Sequence, residues 1–175
     1  MNKISCSKFF MFFVFFTPSV LAGSDTKQLI ILAEVVSTPC SLRVGDENIH
    51  VDFGNVLNKT LLRDGRTIGN TFFLHLDECD TSIARSVKIT FTGQGSEYNS
   101  DFLALSANST AKGISIGFEK GGALLPINKP SRGYILQKGS NILEITAFLQ
   151  LLTPNRQGFL IGSFDATANF VLDYD

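Results

Sequence analysis

Helical periodicity is missing from this chain. No segment repeats apolar residues at the three-and-four spacing of an amphipathic helix, and no internal repeat or low-complexity tract is present. An excess of positive charge is missing as well: Lys and Arg number 15 against 16 Asp and Glu. That balance gives no basic surface for nucleic acid or an anionic membrane. Cysteine is scarce, with three residues and no Cys-x-x-Cys pair, and there are two histidines, so the chain offers a poor zinc site and no metal is expected. His50 and His75 stand next in pattern to Asp52 and Asp77. No Gly-x-Ser-x-Gly serine and no nucleophilic cysteine accompanies them, so they read as exposed strand histidines and no catalytic residue is assigned. Gly113-Ile-Ser-Ile-Gly117 lacks the lysine and following helix of a phosphate cradle, so no cofactor is implied.

The chain does carry a leading export signal. Lys3 and Lys8 precede the apolar run Phe9 to Phe16, Pro18 breaks it, and Val20-Leu21-Ala22 offers small residues for cleavage. The run is too short to span a bilayer, so residues 1–22 are expected to be a signal peptide and no membrane anchor is expected. The remaining 153 or so residues, charge about −3 without Lys3 and Lys8, suffice for a single domain with its own core. Cys6 leaves with the signal. Cys40 and Cys79 remain in an exported chain, where one disulfide is the default. Closing a loop of that size removes roughly 4 kcal/mol of unfolded-state entropy.

The rest reads as short strands between turns. Phe72, Leu74 and Leu76 alternate with Phe73, His75 and Asp77. Val87, Ile89 and Phe91 follow, then Ile114, Ile116 and Phe118, then Leu143, Ile145, Ala147 and Leu149. Ile49, Val51 and Phe53 alternate with His50 and Asp52, a half-buried strand. The polar, Gly-containing stretch 58–70 reads as a loop tucked down by Leu57, Leu61 and Leu62, and 128–139 as another loop. Pro126 marks 124–127 as an edge piece. Residues 164–175 form a last strand with Ala166, Ala168, Phe170, Leu172 and Tyr174 on one face. Such a pattern indicates an all-β sandwich. The stretch 28–36 is unlike the others. Leu29, Ile31, Ala33 and Val35 load one face, Ile30, Leu32 and Val36 the other, and no tight turn folds it back. It is either an ordinary first strand of the core or an unpaired strand competent to join a sheet in its own or another molecule.

Taken together, these features resemble a known family. A signal peptide precedes an alternating strand and a cysteine, and a second cysteine closes Leu76-x-x-Cys79. Val87-Lys-Ile-Thr-Phe-Thr-Gly93, Gly113-Ile-Ser-Ile-Gly-Phe118 and Leu125-Pro-Ile-Asn128 follow. Gly162 is fourteenth from the end and Tyr174 penultimate. The chain is similar over its whole mature length to chaperone–usher fimbrial subunits, pilins of the type 1 pilus kind. The resemblance implies an incomplete immunoglobulin-like β-sandwich whose last strand is supplied in trans. It implies a signal peptide (1–22), a donor-strand extension (23–37) and a pilin domain (38–175). Leu29, Ile31, Ala33 and Val35 would be the donor face. Gly162, Ala168, Phe170, Leu172, Tyr174 and Asp175 would belong to the strand that lines the acceptor groove and meets the chaperone, with basic chaperone residues on the Asp175 carboxylate. The implied partners are a periplasmic pilus chaperone, an outer-membrane usher and neighbouring fimbrial subunits, and the implied destination is a surface fimbria active in cell adhesion. Many members carry Gly where this chain has Ala33. The alternative reading is a free-standing secreted carbohydrate-binding β-sandwich.

Overall fold

The alternating segments become two antiparallel sheets, and the order of their strands decides which edges are covered. The computed structural model describes residues 37–153 and 158–175. The expected signal peptide at 1–22 and the stretch holding Leu29, Ile31, Ala33 and Val35 lie outside the described residues.

One sheet has the order β1 (Ser41–Leu42), β2 (Asn70–Cys79), β7 (Gly139–Leu151), β4 (Ile114–Lys120) and β5 (Ala123–Leu125). The other has the order β6 (Tyr134–Ile135), β3 (Ser86–Thr92) and β8 (Asn169–Tyr174). Leu74, Leu76, Leu143, Ile145 and Leu149 from the first sheet face Val87, Ile89 and Phe91 from the second, and all are buried. The Phe91 and Phe118 rings stack at 4.3 Å across the layer, and Phe72 meets both edge-on. These side chains are apolar at every second position, so pairing the strands buries one face of each. β5 is an outer strand that stops at Pro126, which cannot donate to a further ladder.

A disulfide joins Cys40 to Cys79, closing a loop of 39 residues. Its placement depends on a break in register. β2 pairs regularly with β7 from Asn70 to Leu76, then slips before Cys79, and Glu78 takes a left-handed conformation (φ 54°). One residue is inserted, so Cys79 turns inward where strict alternation would have pointed Glu78.

Four local readings are corrected. Stretch 58–70 is not all loop: Asn58–Asp64 forms the helix α1, ended by Gly65 at φ 75°, whose N–H donates to the Leu61 carbonyl at 2.9 Å. Leu61 is buried, Leu62 half-buried and Leu57 exposed, so one leucine anchors the turn where three were expected. Ile49, Val51 and Phe53 are half-buried and alternate as expected, but no ladder forms along them. The last strand begins at Asn169 instead of Phe164, because Ser163 and Asp165 give their carbonyls to Thr110, Ala111 and Ser106 instead. Loop 128–139 contains β6, which pairs with Ser86 and Val87.

The histidines also sit differently from their expected setting. His50 is exposed but in no strand. His75 is partly buried in β2, and its carboxylate partner is Asp46, 29 residues away. Asp46 Oδ2 accepts from the His75 backbone N–H at 2.6 Å and lies 2.9 Å from Nδ1. Burial works against ionisation of Asp46, yet the bonds from His75 hold its carboxyl below the usual range. The next carboxylate, Asp77, receives the Arg43 guanidinium at 2.8 and 2.9 Å. That bond, helped by the Ser140 hydroxyl, lowers the Asp77 pKa to about 2. A folded-state value below the unfolded one, about 3.9, stabilises the protein above pH ~4, and the contribution is lost as pH falls through about 2. Urea midpoints followed from pH 5 to about 2 are therefore expected to fall less steeply in Asp77→Asn than in the parent, by a modest amount because the pair is solvent-exposed.

Candidate functional site

β8 is bonded along one edge only. Its residues pair with β3 in the register Phe91↔Phe170, Ile89↔Leu172 and Val87↔Tyr174. Among the described residues no strand takes its other edge. The consequence shows in burial. Val87, Ile89 and Phe91 are 0%, 1% and 4% exposed, whereas their partners Tyr174, Leu172 and Phe170, pointing to the same face, are only half-buried. Cover over the core thus runs out at β8. Burial also pushes the Tyr174 hydroxyl above its usual pKa, so its ring is partly inside and stays neutral at physiological pH.

The apolar surface continues on both sides of this strand. Phe164, Ala166 and Ala168 lead into β8 as alternate half-buried positions. The Phe53 ring meets Phe164 at 5.9 Å, and Ile49, Val51 and Val56 pack against the same core without forming a ladder. Beside Phe53 lies a hollow of about 220 Å³ lined by Val56, Leu57, Ile68 and Gly69. An unpaired strand edge next to half-covered apolar side chains can accept an extended strand: the edge supplies backbone donors and acceptors, and the side chains supply pockets at alternate positions.

The sequence-predicted residues are distributed unevenly over this site. Phe170, Leu172 and Tyr174 lie on β8, and Ala168 immediately precedes it. Gly162 lies outside the strand. A Cβ there would collide with the Thr110 hydroxyl and come within 2.7 and 2.8 Å of the Ala111 nitrogen and the Thr110 carbonyl carbon. Glycine at 162 therefore lets the chain pass against residues 110–111 before it enters β8. Gly162→Ala is expected to cost about 1–3 kcal/mol, from overpacking against backbone, read as a drop in urea midpoint.

Asp175 is tied to the start of β3. Its carbonyl accepts from the Arg85 and Ser86 N–H groups at 2.7 and 3.0 Å, and its own N–H donates to Ser86 at 2.9 Å. Its side chain pairs with Lys88 at 2.5 Å. A basic group approaching that carboxylate from another molecule would compete with Lys88, a contact that sequence reading did not supply. Leu29, Ile31, Ala33 and Val35 lie outside the described residues. No group of three His, Cys, Asp or Glu among the described residues is arranged to hold a metal. No helix among them is long and apolar enough to cross a membrane.

Comparison with known proteins follows the same line. A sequence model of the fimbrial protein family matches residues 29–175. The probable major fimbrial subunit LpfA of Escherichia coli O157:H7 is 28% identical over 146 residues, covering 81% of this chain and 80% of LpfA. Among solved structures, the P pilus rod subunit PapA aligns with a TM-score of 0.68 at 26% identity, over 79% of this chain and 100% of PapA. A chaperone–usher pilus structure aligns with a TM-score of 0.70 at 24% identity, over 91% of this chain and 100% of its own.

Proposed function

Because this chain belongs to the fimbrial protein family, and so is a structural subunit of a surface fimbria, we propose that it enters the fibre by donor-strand exchange at the free edge of β8. The observation that carries this reading is the burial step across one ladder: Val87, Ile89 and Phe91 are sealed, and Tyr174, Leu172 and Phe170 opposite them are not.

The edge of β8 left unpaired among the described residues supports this mechanism. A strand laid along β8 would satisfy the unpaired N–H and C=O groups of that edge and cover Phe170, Leu172, Tyr174 and the alternate positions Phe164, Ala166 and Ala168. A periplasmic chaperone lends such a strand first. At the outer-membrane usher, the N-terminal stretch of the next subunit replaces it. The corresponding stretch here is 28–36, with Leu29, Ile31, Ala33 and Val35 as the inserting face and residues 23–37 as the extension. Burying Leu29, Ile31 and Val35 contributes about 5–8 kcal/mol before the costs of ordering. Ala33 adds a methyl group where many relatives have none, so the groove that receives this strand needs room for it. Gly162 lets the chain pass against Thr110 on its way to β8, and Asp175, held on β3, fixes the end of β8. Contribution to cell adhesion follows from membership of the fibre. No catalytic role is assigned.

The test is co-purification from periplasm. The subunit is expected to come down with one chaperone, and a synthetic peptide of a neighbouring subunit's N-terminal stretch is expected to displace that chaperone. A subunit recovered alone, monomeric and fully stable would remove the basis for donor-strand exchange.

A further inference from the structure

A second concave site lies away from the free edge. A cavity of about 470 Å³ opens where β6 meets the end of β4 and the start of β7, lined by Lys120, Arg132, Tyr134, Ile135, Asn141 and Ile142 among others. That volume is within the range of small-ligand sites. Three of the five described arginines and two of the six described lysines are ion-paired: Arg43 with Asp77, Arg63 with Asp64, Arg66 with Glu119, Lys88 with Asp175, Lys129 with Asp101. Lys120 and Arg132 have no carboxylate partner among the described residues, and yet both converge on one ring. The Lys120 ammonium is 5.0 Å and the Arg132 guanidinium 5.9 Å from the centre of Tyr134. Both cations line the cavity without a counter-charge, and an anion bound there would supply one. Ile135 and Ile142 flank the site and are 87% and 58% exposed, an apolar wall that water leaves uncompensated.

We propose that this cavity binds a sugar bearing a carboxylate, a uronic-acid-type unit of an acidic glycan. The Arg132 fork matches a carboxylate in two parallel bonds, Lys120 adds a point charge, and the isoleucines take the C–H face of the sugar ring. The apolar wall favours an organic anion over inorganic phosphate.

The test is a titration of the subunit as its chaperone complex, with the subunit's isoleucine methyl groups labelled for NMR, against sodium glucuronate, glucose and sodium acetate. The Ile135 and Ile142 signals are expected to shift to saturation with glucuronate and to stay put with the other two at equal concentration. Lys120→Gln and Arg132→Gln are each expected to weaken glucuronate by about tenfold, and Lys59→Gln, on the exposed face of α1, to leave it unchanged. The other isoleucine signals report whether each variant is folded, and the parent titration decides the matter if one is not. Absence of saturable shifts, equal shifts with glucose, or equal shifts with acetate would overturn the proposal.

Discussion

Fibres built with a chain lacking residues 23–36 are expected to stop at that subunit. The truncated domain keeps β8 and its free edge, so it should still co-purify with its chaperone and still receive a strand. What it loses is the capacity to fill a neighbour. In the proposed donor role Leu29, Ile31 and Val35 would contribute about 5–8 kcal/mol of burial, which corresponds to roughly four to six decades in an equilibrium constant. A partial loss of that kind would shorten fibres, and removal of the whole strand, with its backbone bonds, abolishes the joint. Fibre length by electron microscopy and chaperone binding by pull-down separate the two roles. Normal polymerisation by the truncated chain would show that the donor stretch lies elsewhere.

The double variant Cys40→Ser, Cys79→Ser is expected to lose about 4 kcal/mol, the loop-closure entropy of the 39-residue separation. Against a usual domain stability of about 5–15 kcal/mol that is a large fraction, so recovery from the periplasm should fall steeply and the urea midpoint should drop. The position of the bond adds a second effect. Cys40 directly precedes β1, whose Ser41 and Leu42 pair with Asp77 and Leu76. The disulfide therefore pins the chain just ahead of β1. Without it, that point would be held by the two-residue ladder of β1, the Asp80 N–H bond to the Pro39 carbonyl and the Arg43–Asp77 pair. A variant whose midpoint matched the parent under oxidising conditions would show that the ladder and core suffice.

Much of the fold could be read from alternation alone. Phe72, Leu74 and Leu76, then Val87, Ile89 and Phe91, then Leu143, Ile145, Ala147 and Leu149 are inward residues of the strands expected for them. Alternation failed where pairing, a property of two segments, was decided elsewhere. Ile49, Val51 and Phe53 alternate as cleanly as β3 yet form no ladder. The helix α1 was missed because seven residues around one buried leucine carry no measurable period. In β4 even the second face is covered. Ser115 is buried, and Gly117 leaves room for the Phe148 and Phe102 rings, which meet edge-on at 6.2 Å under the Arg66 guanidinium.

By itself the amino-acid sequence determined most of the strand-forming segments, their inward faces and the cysteine pair, because these depend on side-chain period and local residue type. Tertiary structure alone decided that Glu78 turns out so that Cys79 can turn in, that Asp46 and not Asp77 meets His75, and that Lys120 and Arg132 share one tyrosine. It also decided that, among the described residues, β8 is bonded along one edge. Which edge is left open depends on sheet order, and sheet order is set by contacts between segments far apart in the chain.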